Sequence, residues 1–365
     1  MQDISGGDKM KRHGNALRCI AAAVAVALAA FSVFSDTLRA PFIYISDKAA
    51  VAAAMIPKFT AADKAPTKTK AAAKPDTAQA EKQAQTAVPT AAPTTAVKAV
   101  LSGAKGKIKK QTIGFSGATN VQNLHIANKT GVEIDAAKQI KIKPNFKIVK
   151  SDKPQVLIMH THATECFYPT ESDVYLESWA TRTTDSKKNT LALGQIITDE
   201  LNAAGIKSIH DTTQHDAEAY SGSYERARKT IKSYLEKYPS IDVVLDIHRD
   251  AITYDDGTKL CPTVEVNGSK AAQIMIATGC NSGSVTEHRN WIENFRFAIR
   301  LQQSCEQKYG KFARPLYFVS KKYNHDLTYG SLLVEVGSEA NTLEQAKYSA
   351  LLLARALIPV LEGLQ

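Results

Sequence analysis

Apolar positions along this chain fall into two regimes. From Pro154 onward, short apolar runs alternate with stretches in which apolar residues recur at helical spacing. Val156–Met159, Ile206–Ile209, Val243–Ile247, Leu316–Val319 and Leu332–Val336 have the length and branching of buried strands. Between them, Thr190–Ala203 places Leu193, Ile196, Ile197 and Leu201 on one face, with Gly205 where a C-terminal cap belongs. Ser223–Lys237 carries Ala227, Ile231 and Tyr234 as a stripe and is followed by Pro239. His288–Tyr309 does the same with Trp291, Phe295, Ala298, Leu301 and Cys305, before Gly310. Thr342–Glu362 is the last helix, with Asn341 and Glu344 at capping-box spacing. Asn267-Gly268, between Val264–Val266 and Ile274–Ile276, predicts a hairpin joining those two strands. Strands alternating with helices predict an α/β domain built on a mostly parallel sheet with helices on both faces.

The N-terminal third follows a different pattern. Lys9, Lys11, Arg12 and Arg18 precede the apolar run Cys19–Phe34. A basic flank before such a run marks a membrane anchor or signal segment. We read residues 1–18 as a basic cytoplasmic tail and 19–35 as an anchor that stays in place, although Ala27-Leu28-Ala29 resembles a cleavage site. Residues 36–105 read as a flexible tether rich in Ala, Thr, Pro and Lys, with too few apolar side chains to offset chain entropy. Residues 106–150 read as a lead-in of short strands (Thr112–Phe115, Leu124–Ile126, Ile140–Ile142), and 151–365 as the catalytic domain. A fragment starting near Gly114 is expected to fold alone. The chain is expected in the cell membrane, crossing once, with its domain outside the cytoplasm.

Charge and cysteines narrow the picture only a little. The formal charge of +10 is concentrated in the tail and tether, which suits solvation or an anionic lipid or wall surface. Basic and aromatic residues are not interleaved as in single-strand binders, so no nucleic-acid partner is expected. Cys166, Cys261, Cys280 and Cys305 lack C-x-x-C spacing and read as small apolar fillers.

Three of the apolar runs end in ionisable clusters. They are His160-Thr161-His162-Ala163-Thr164-Glu165 after Val156–Met159, Asp246-Ile247-His248-Arg249-Asp250 after Val243–Leu245, and Glu335-Val336-Gly337 after Leu332–Val334. Ligands in open α/β sheets bind outside the carboxyl ends of strands. Imidazoles and carboxylates gathered there suit a catalytic zinc site. The candidate ligands are His160, His162, Glu165 and His248; only one of the first two histidines need bind. Asp246 would back His248 from behind, Glu335 would move the proton, and Arg249 would clamp a substrate carboxylate. Singly, each has a structural reading: Asp246 and Arg249 as an ion pair, Glu335 as a helix cap.

These segments, together with Tyr323-Asn324-His325-Asp326-Leu327 and Asn341-Thr342-Leu343-Glu344, occur in an order and spacing that resembles the stage II sporulation protein P family, from about Pro154 to the C-terminus. The resemblance implies a zinc amidase-like fold and an N-acetylmuramoyl-L-alanine amidase with added endopeptidase activity on cross-linked peptidoglycan. It implies Zn2+ as cofactor, action in spore engulfment at the mother-cell septal membrane, and stage II sporulation proteins D and M as partners. It places the metal on the His160/His162 segment and His248, and the catalytic carboxylate at Glu335. Asn324 and His325 would contact substrate, with His325 standing where Gln is usual. The wider zinc amidase group has a ligand Glu near the first helix. Ser186-Lys187-Lys188-Asn189 holds none, which leaves Glu165 as the third ligand by proximity. The competing classes are a catalytically inactive wall-binding scaffold and a zinc carboxypeptidase or deacetylase of the wall.

Overall fold

The structure, a computed structural model, describes residues 103–365. The expected tail, anchor and nearly all of the tether lie outside the described residues. Among the described residues no helix is long and apolar enough to cross a membrane.

The larger sheet has eight strands. In chain order these are β2 (Thr119–Val121), β3 (Leu124–Asn128), β4 (Val156–Met159), β6 (Ser208–His210), β7 (Val243–Asp250), β10 (Ile274–Gly279), β11 (Leu316–Val319) and β12 (Gly330–Ser338). Their spatial order is β2-β3-β11-β10-β12-β7-β4-β6. The block β12-β7-β4-β6 is parallel. β4 returns to β6 through helix α2 (Leu191–Ala203) and β6 to β7 through α3 (Ser223–Lys237), while α4 (Trp291–Tyr309) joins β10 to the parallel β11. The chain then departs from expectation. β10 is antiparallel to β12, and β2 is antiparallel to β3, so the sheet is mixed rather than mostly parallel. The cause lies in the connection. After β7 the chain makes a hairpin excursion, β8 (Lys259–Val266) and β9 (Ser269–Ala272), and enters β10 without a helical crossover. It therefore enters from the end at which β7 finished.

That excursion forms a second, four-stranded sheet in the order β5-β1-β8-β9, completed by β1 (Ala104–Gln111) and β5 (Val174–Leu176). Asn267 (φ 49) and Gly268 (φ 75) make the tight turn, as their chemistry predicts. The turn joins β8 to β9, however, and Ile274–Ile276 belongs to the larger sheet. The lead-in is also not a separate piece. β1 pairs with both β5 and β8, β3 pairs with β11, and Ile140–Ile142 is a turn after the one-turn helix α1 (Ala136–Gln139). Strand pairing thus runs across the expected 150/151 boundary. A fragment from Gly114 would lose all of β1. It is expected to melt about 5–10 °C below one that begins at Gly103, since about 1 kcal/mol shifts Tm by 2–4 °C in a domain of this size; thermal unfolding of the two fragments tests this.

Period-two alternation assigns the two faces. Ile158, Val243, Leu245, Ile247, Leu332, Val334 and Val336 face α2, α4 and the final helix α5 (Leu343–Glu362) in the main core. Leu157, Met159 and Val244 face Ala227 and Ile231 of α3 on the other side. Helices thus cover both faces. The same alternation turns Asp246, His248 and Glu335 toward the α3 side, and Glu335 pairs directly with His248 across β12 and β7. The pairing slips between Glu335 and Ser338, where Gly337 adopts φ 68. That bulge leaves Glu335 at the end of the regular ladder. α5 is capped one residue later than its sequence spacing suggests. Thr342 accepts from Gln345 N, and the Gln345 side chain accepts from Thr342 N. Asn341 instead receives the Ser338 N–H, so Glu335 is not the cap.

Candidate active site

The structure separates the two histidines of the first cluster. His160 continues the β4 alternation toward α2 and is fully buried. Its Nδ1 lies 2.9 Å from Ile247 O and its Nε2 3.0 Å from His210 Nε2. Burial, with His210 beside it, pushes its pKa down to about 3. Both ring nitrogens are engaged by protein partners on the α2 side of the sheet. α2 approaches this pair closely. A Cβ on Gly194 would lie 2.4 Å from both His160 Nε2 and His210 Nε2. Gly194→Ala is expected to cost about 1–3 kcal/mol through overpacking, read as a lower denaturation midpoint.

The chain leaves the strand before His162, which brings that ring to the α3 side. It meets His248 edge-on, with ring centres 5.3 Å apart. Its Nδ1 is 3.4 Å from Ser223 Oγ and 3.8 Å from Asp216 Oδ2, while Nε2 has no partner among the described residues. Burial, despite the nearby Glu165, lowers its pKa to about 4. Asp216 is itself fixed by Thr164, through N at 3.1 Å and Oγ1 at 2.6 Å, and by Arg182. His162 therefore has one nitrogen steadied and the other free.

His248 is arranged in the same way. Its Nε2 lies 2.9 Å from Asp246 Oδ1, with the N–H aimed off that oxygen, so the contact is charge pairing more than a straight hydrogen bond. Its Nδ1 is 3.6 Å from Glu165 Oε2. Asp246 is held by Thr161, through N at 2.7 Å and Oγ1 at 2.6 Å. Burial would raise its carboxyl, but His248 and Thr161 together bring it down to about 2. Burial works against charge on His248 too, yet Asp246 and Glu165 hold its pKa well above the usual value. Glu165 is likewise buried, and His248 and Arg249 keep it well below the usual carboxylate range. It accepts from Arg249 N at 3.1 Å.

Glu335 completes the group. It is half-buried, yet Oε2 is shut off from solvent and has no hydrogen-bond partner. Burial, and then Asp250, push its carboxyl up to about 8. A carboxyl poised near neutrality with a free oxygen is suited to proton transfer. The charges of Asp246, Glu335 and Glu165 also act on Tyr224, the second residue of α3. Burial and those charges push its phenol well up. Its ring meets His162 edge-on at 5.6 Å, and Tyr220 stacks on His162 at 4.4 Å, with the Arg182 guanidinium 4.8 Å from the Tyr220 ring.

The expected substrate contacts sit differently. Arg249 is buried and donates from Nε to Cys166 O (3.0 Å) and from Nη2 to Thr181 O (2.7 Å). It ties loops together and offers no fork to a substrate carboxylate; nor does it pair with Asp246. Asn324 faces α3, accepting from Arg228 Nη1 and donating to Tyr224 O. His325 is 2 % exposed, with both ring nitrogens unpartnered and its pKa lowered to about 3 by burial. It lies beneath the surface beside His288 rather than in a cleft. Asp216, Ser223, Tyr220 and Tyr224 were not legible from spacing. They lie in an irregular loop and the first turn of a helix, where periodicity is silent.

Among the described residues no group of three or more His, Cys, Asp or Glu is placed, as it stands, to hold a metal ion. His162, Glu165 and His248 nonetheless fit a divalent metal by their donor set. Each has one side fixed by a neighbour, and the spare His162 Nε2 has no protein partner. Two imidazoles and one carboxylate match a catalytic zinc site with an open position.

Fold and site together define an α/β domain with an imidazole–carboxylate cluster at the ends of adjacent parallel strands. The chain belongs to the stage II sporulation protein P (SpoIIP) family, whose sequence profile matches residues 45–358. It is 28% identical over 215 residues to stage II sporulation protein P of Bacillus subtilis (strain 168), covering 56% of this chain and 50% of that protein. The chain thus matches about half the length of that curated relative. Among solved structures it is similar to the apo N-acetylmuramyl-L-alanine amidase Ami1 of Mycobacterium abscessus: 14% identity, 58% of this chain, 98% of that one, TM-score 0.34. It is also similar to the CwlD amidase of Clostridioides difficile in complex with the GerS lipoprotein: 10% identity, 57% and 97% coverage, TM-score 0.37. Overlaps of this size do not define a shared chemistry, which has to come from the residues of this chain.

Proposed function

We propose that this chain is a zinc-dependent N-acetylmuramoyl-L-alanine amidase. It would cleave the amide between muramic acid and the first alanine of the stem peptide during wall remodelling in spore engulfment. A second, endopeptidase activity on cross-links, an N-terminal membrane anchor with the domain outside the cytoplasm, and stage II sporulation proteins D and M as partners belong to the same reading. The observation that supports it best is the placing of Glu335, with its raised carboxyl and free oxygen, directly across from His248 in the His162–Glu165–His248 group.

His162, Glu165 and His248 would hold the zinc. Zinc bound there would polarise the scissile carbonyl and acidify the attacking water. Asp216 and Ser223 orient His162, and Asp246, gripped by Thr161, orients His248. Arg182 and Arg249 balance the charge of Glu165. Glu335 takes a proton from the attacking water and delivers it to the departing alanine nitrogen as the C–N bond breaks. The scaffold alternative has no observation in its favour, since no member of the group is missing.

The test is digestion of purified peptidoglycan by the full chain with zinc, followed by identification of the new ends. Free N-terminal alanine supports the amidase. New ends only within peptides, with muramyl–alanine bonds intact, would make it a peptidase. No new ends would overturn the enzymatic reading.

A further inference from the structure

The site described so far has a base and metal-ligating groups, but no protein donor for the negative charge that grows on the carbonyl oxygen. Of the backbone N–H groups beside the site, Thr161 N is spent on Asp246, Thr164 N on Asp216 and Arg249 N on Glu165. Of the phenols near the group, Tyr220 is exposed and Tyr323 sits in a left-handed turn, while Tyr224 stands on the first turn of α3 against His162. Its ring stands perpendicular to His162, and its charged surroundings are Asp246, Glu335 and Glu165. No described residue hydrogen-bonds its hydroxyl.

The backbone around it is specialised. Tyr323 (φ 48) and Asn324 (φ 60) are successive non-glycine residues in the left-handed region. A pair of this kind costs energy and persists where surrounding contacts enforce it. Here the contacts lead to Tyr224. Asn324 Nδ2 donates to Tyr224 O at 3.0 Å, and Arg228 Nη1 donates to Asn324 Oδ1 at 3.2 Å. The Arg228 fork also grips Asp326 at 2.7 and 2.6 Å. The Tyr323 ring lies 6.0 Å from that of Tyr224. The strained turn therefore clasps the first turn of α3 and fixes where the Tyr224 ring stands.

We propose that the Tyr224 hydroxyl is a catalytic hydrogen-bond donor to the oxyanion of the tetrahedral species, with the Tyr323-Asn324 turn as its positioning clasp. This deepens the amidase reading and rests on it. The hydroxyl keeps its proton throughout: it donates as water adds to the carbonyl carbon and relaxes as the C–N bond breaks. A phenol, with an ordinary pKa of about 10, stays a neutral donor at working pH. It is well placed for this because a fixed donor needs no reorganisation as charge develops.

The test is Tyr224→Phe in the full, zinc-loaded chain, assayed on a soluble muramyl-peptide. kcat is expected to fall by about 100- to 1,000-fold, the loss typical of one oxyanion donor, with KM within twofold and zinc stoichiometry and melting temperature unchanged. Affinity for a phosphinate analogue of the tetrahedral species is expected to fall at least tenfold, while affinity for the product peptide holds. A kcat within threefold of the parent, or a loss wholly in KM, would overturn the assignment and leave the amidase reading standing. A parent chain that releases no peptide would overturn both. Asn324→Ala, which unfastens the clasp and spares the hydroxyl, is expected to give an intermediate loss in kcat; a wild-type kcat would remove the clasp from the proposal.

Discussion

Glu335→Gln is expected to leave the domain folded and its zinc content unchanged while turnover falls by about two to four orders of magnitude, the range of a lost general base. The amide is nearly the size of the carboxyl and keeps a hydrogen-bonding oxygen, but cannot carry the proton from water to the leaving nitrogen. The structure distinguishes this role from two others. As a ligand, Glu335 would take zinc with it when replaced. As a helix cap it would weaken α5, whose N-terminus is instead closed by Thr342 and Gln345. The pH dependence adds a check in the zinc-stripped protein. Burial and Asp250 raise the folded-state carboxyl from 4.5 to about 8. Between those values the folded state binds more protons than the unfolded one, so stability falls as pH rises through that window. Glu335→Gln removes the term, and its melting temperature is expected to gain on the parent between about pH 5 and pH 8. Peptide release, metal analysis and melting curves read all three; retained turnover with retained zinc would remove Glu335 from the chemistry.

What the sequence makes legible follows from the range of the forces involved. β4, α3, β7, β11 and the end of α5 are local patterns, and their periodicity predicts them within a residue or a few. Strand alternation also predicts that Asp246 and His248 share a face, as they do. Longer-range pairing escapes it. Nothing local tells that the Asn267-Gly268 hairpin serves a second sheet, or that β10 then enters the first sheet reversed. β1 is an extreme case. Its Lys-rich strand straddles the expected end of the tether and start of the lead-in, and it is ordered by pairing with β5 and β8 far along the chain. The site shows the same limit. Equal alternation of His160 and His162 holds only while the strand lasts, and β4 ends at Met159. The loop then turns His162 to the side opposite His160. Arg249 misleads for a related reason, since a charged residue beside a histidine of the cluster reads as a substrate clamp until its partners, three backbone carbonyls, are known.

His162→Ala and His248→Ala are each expected to abolish wall hydrolysis and to weaken zinc binding by more than the 10- to 100-fold typical of losing an outer-shell partner. Both rings belong to the one group in which Asp216 and Asp246 hold the far nitrogens. His160→Ala is expected to behave in the opposite way. His160 is fully buried, bonded to Ile247 O and His210, and faces α2 across the sheet from His162 and His248. Its removal leaves a cavity and unpaired polar atoms at a cost of about 2–4 kcal/mol. That corresponds to a melting temperature lower by roughly 5–15 °C. Zinc stoichiometry, measured at a temperature where the variant is folded, is expected to equal the parent's, and peptide release to persist. Should His160→Ala lose the metal while His162→Ala keeps it, the group of His162, Glu165 and His248 is not the ligand set. The side-chain direction set by the end of β4 would then not be the one the protein uses in solution.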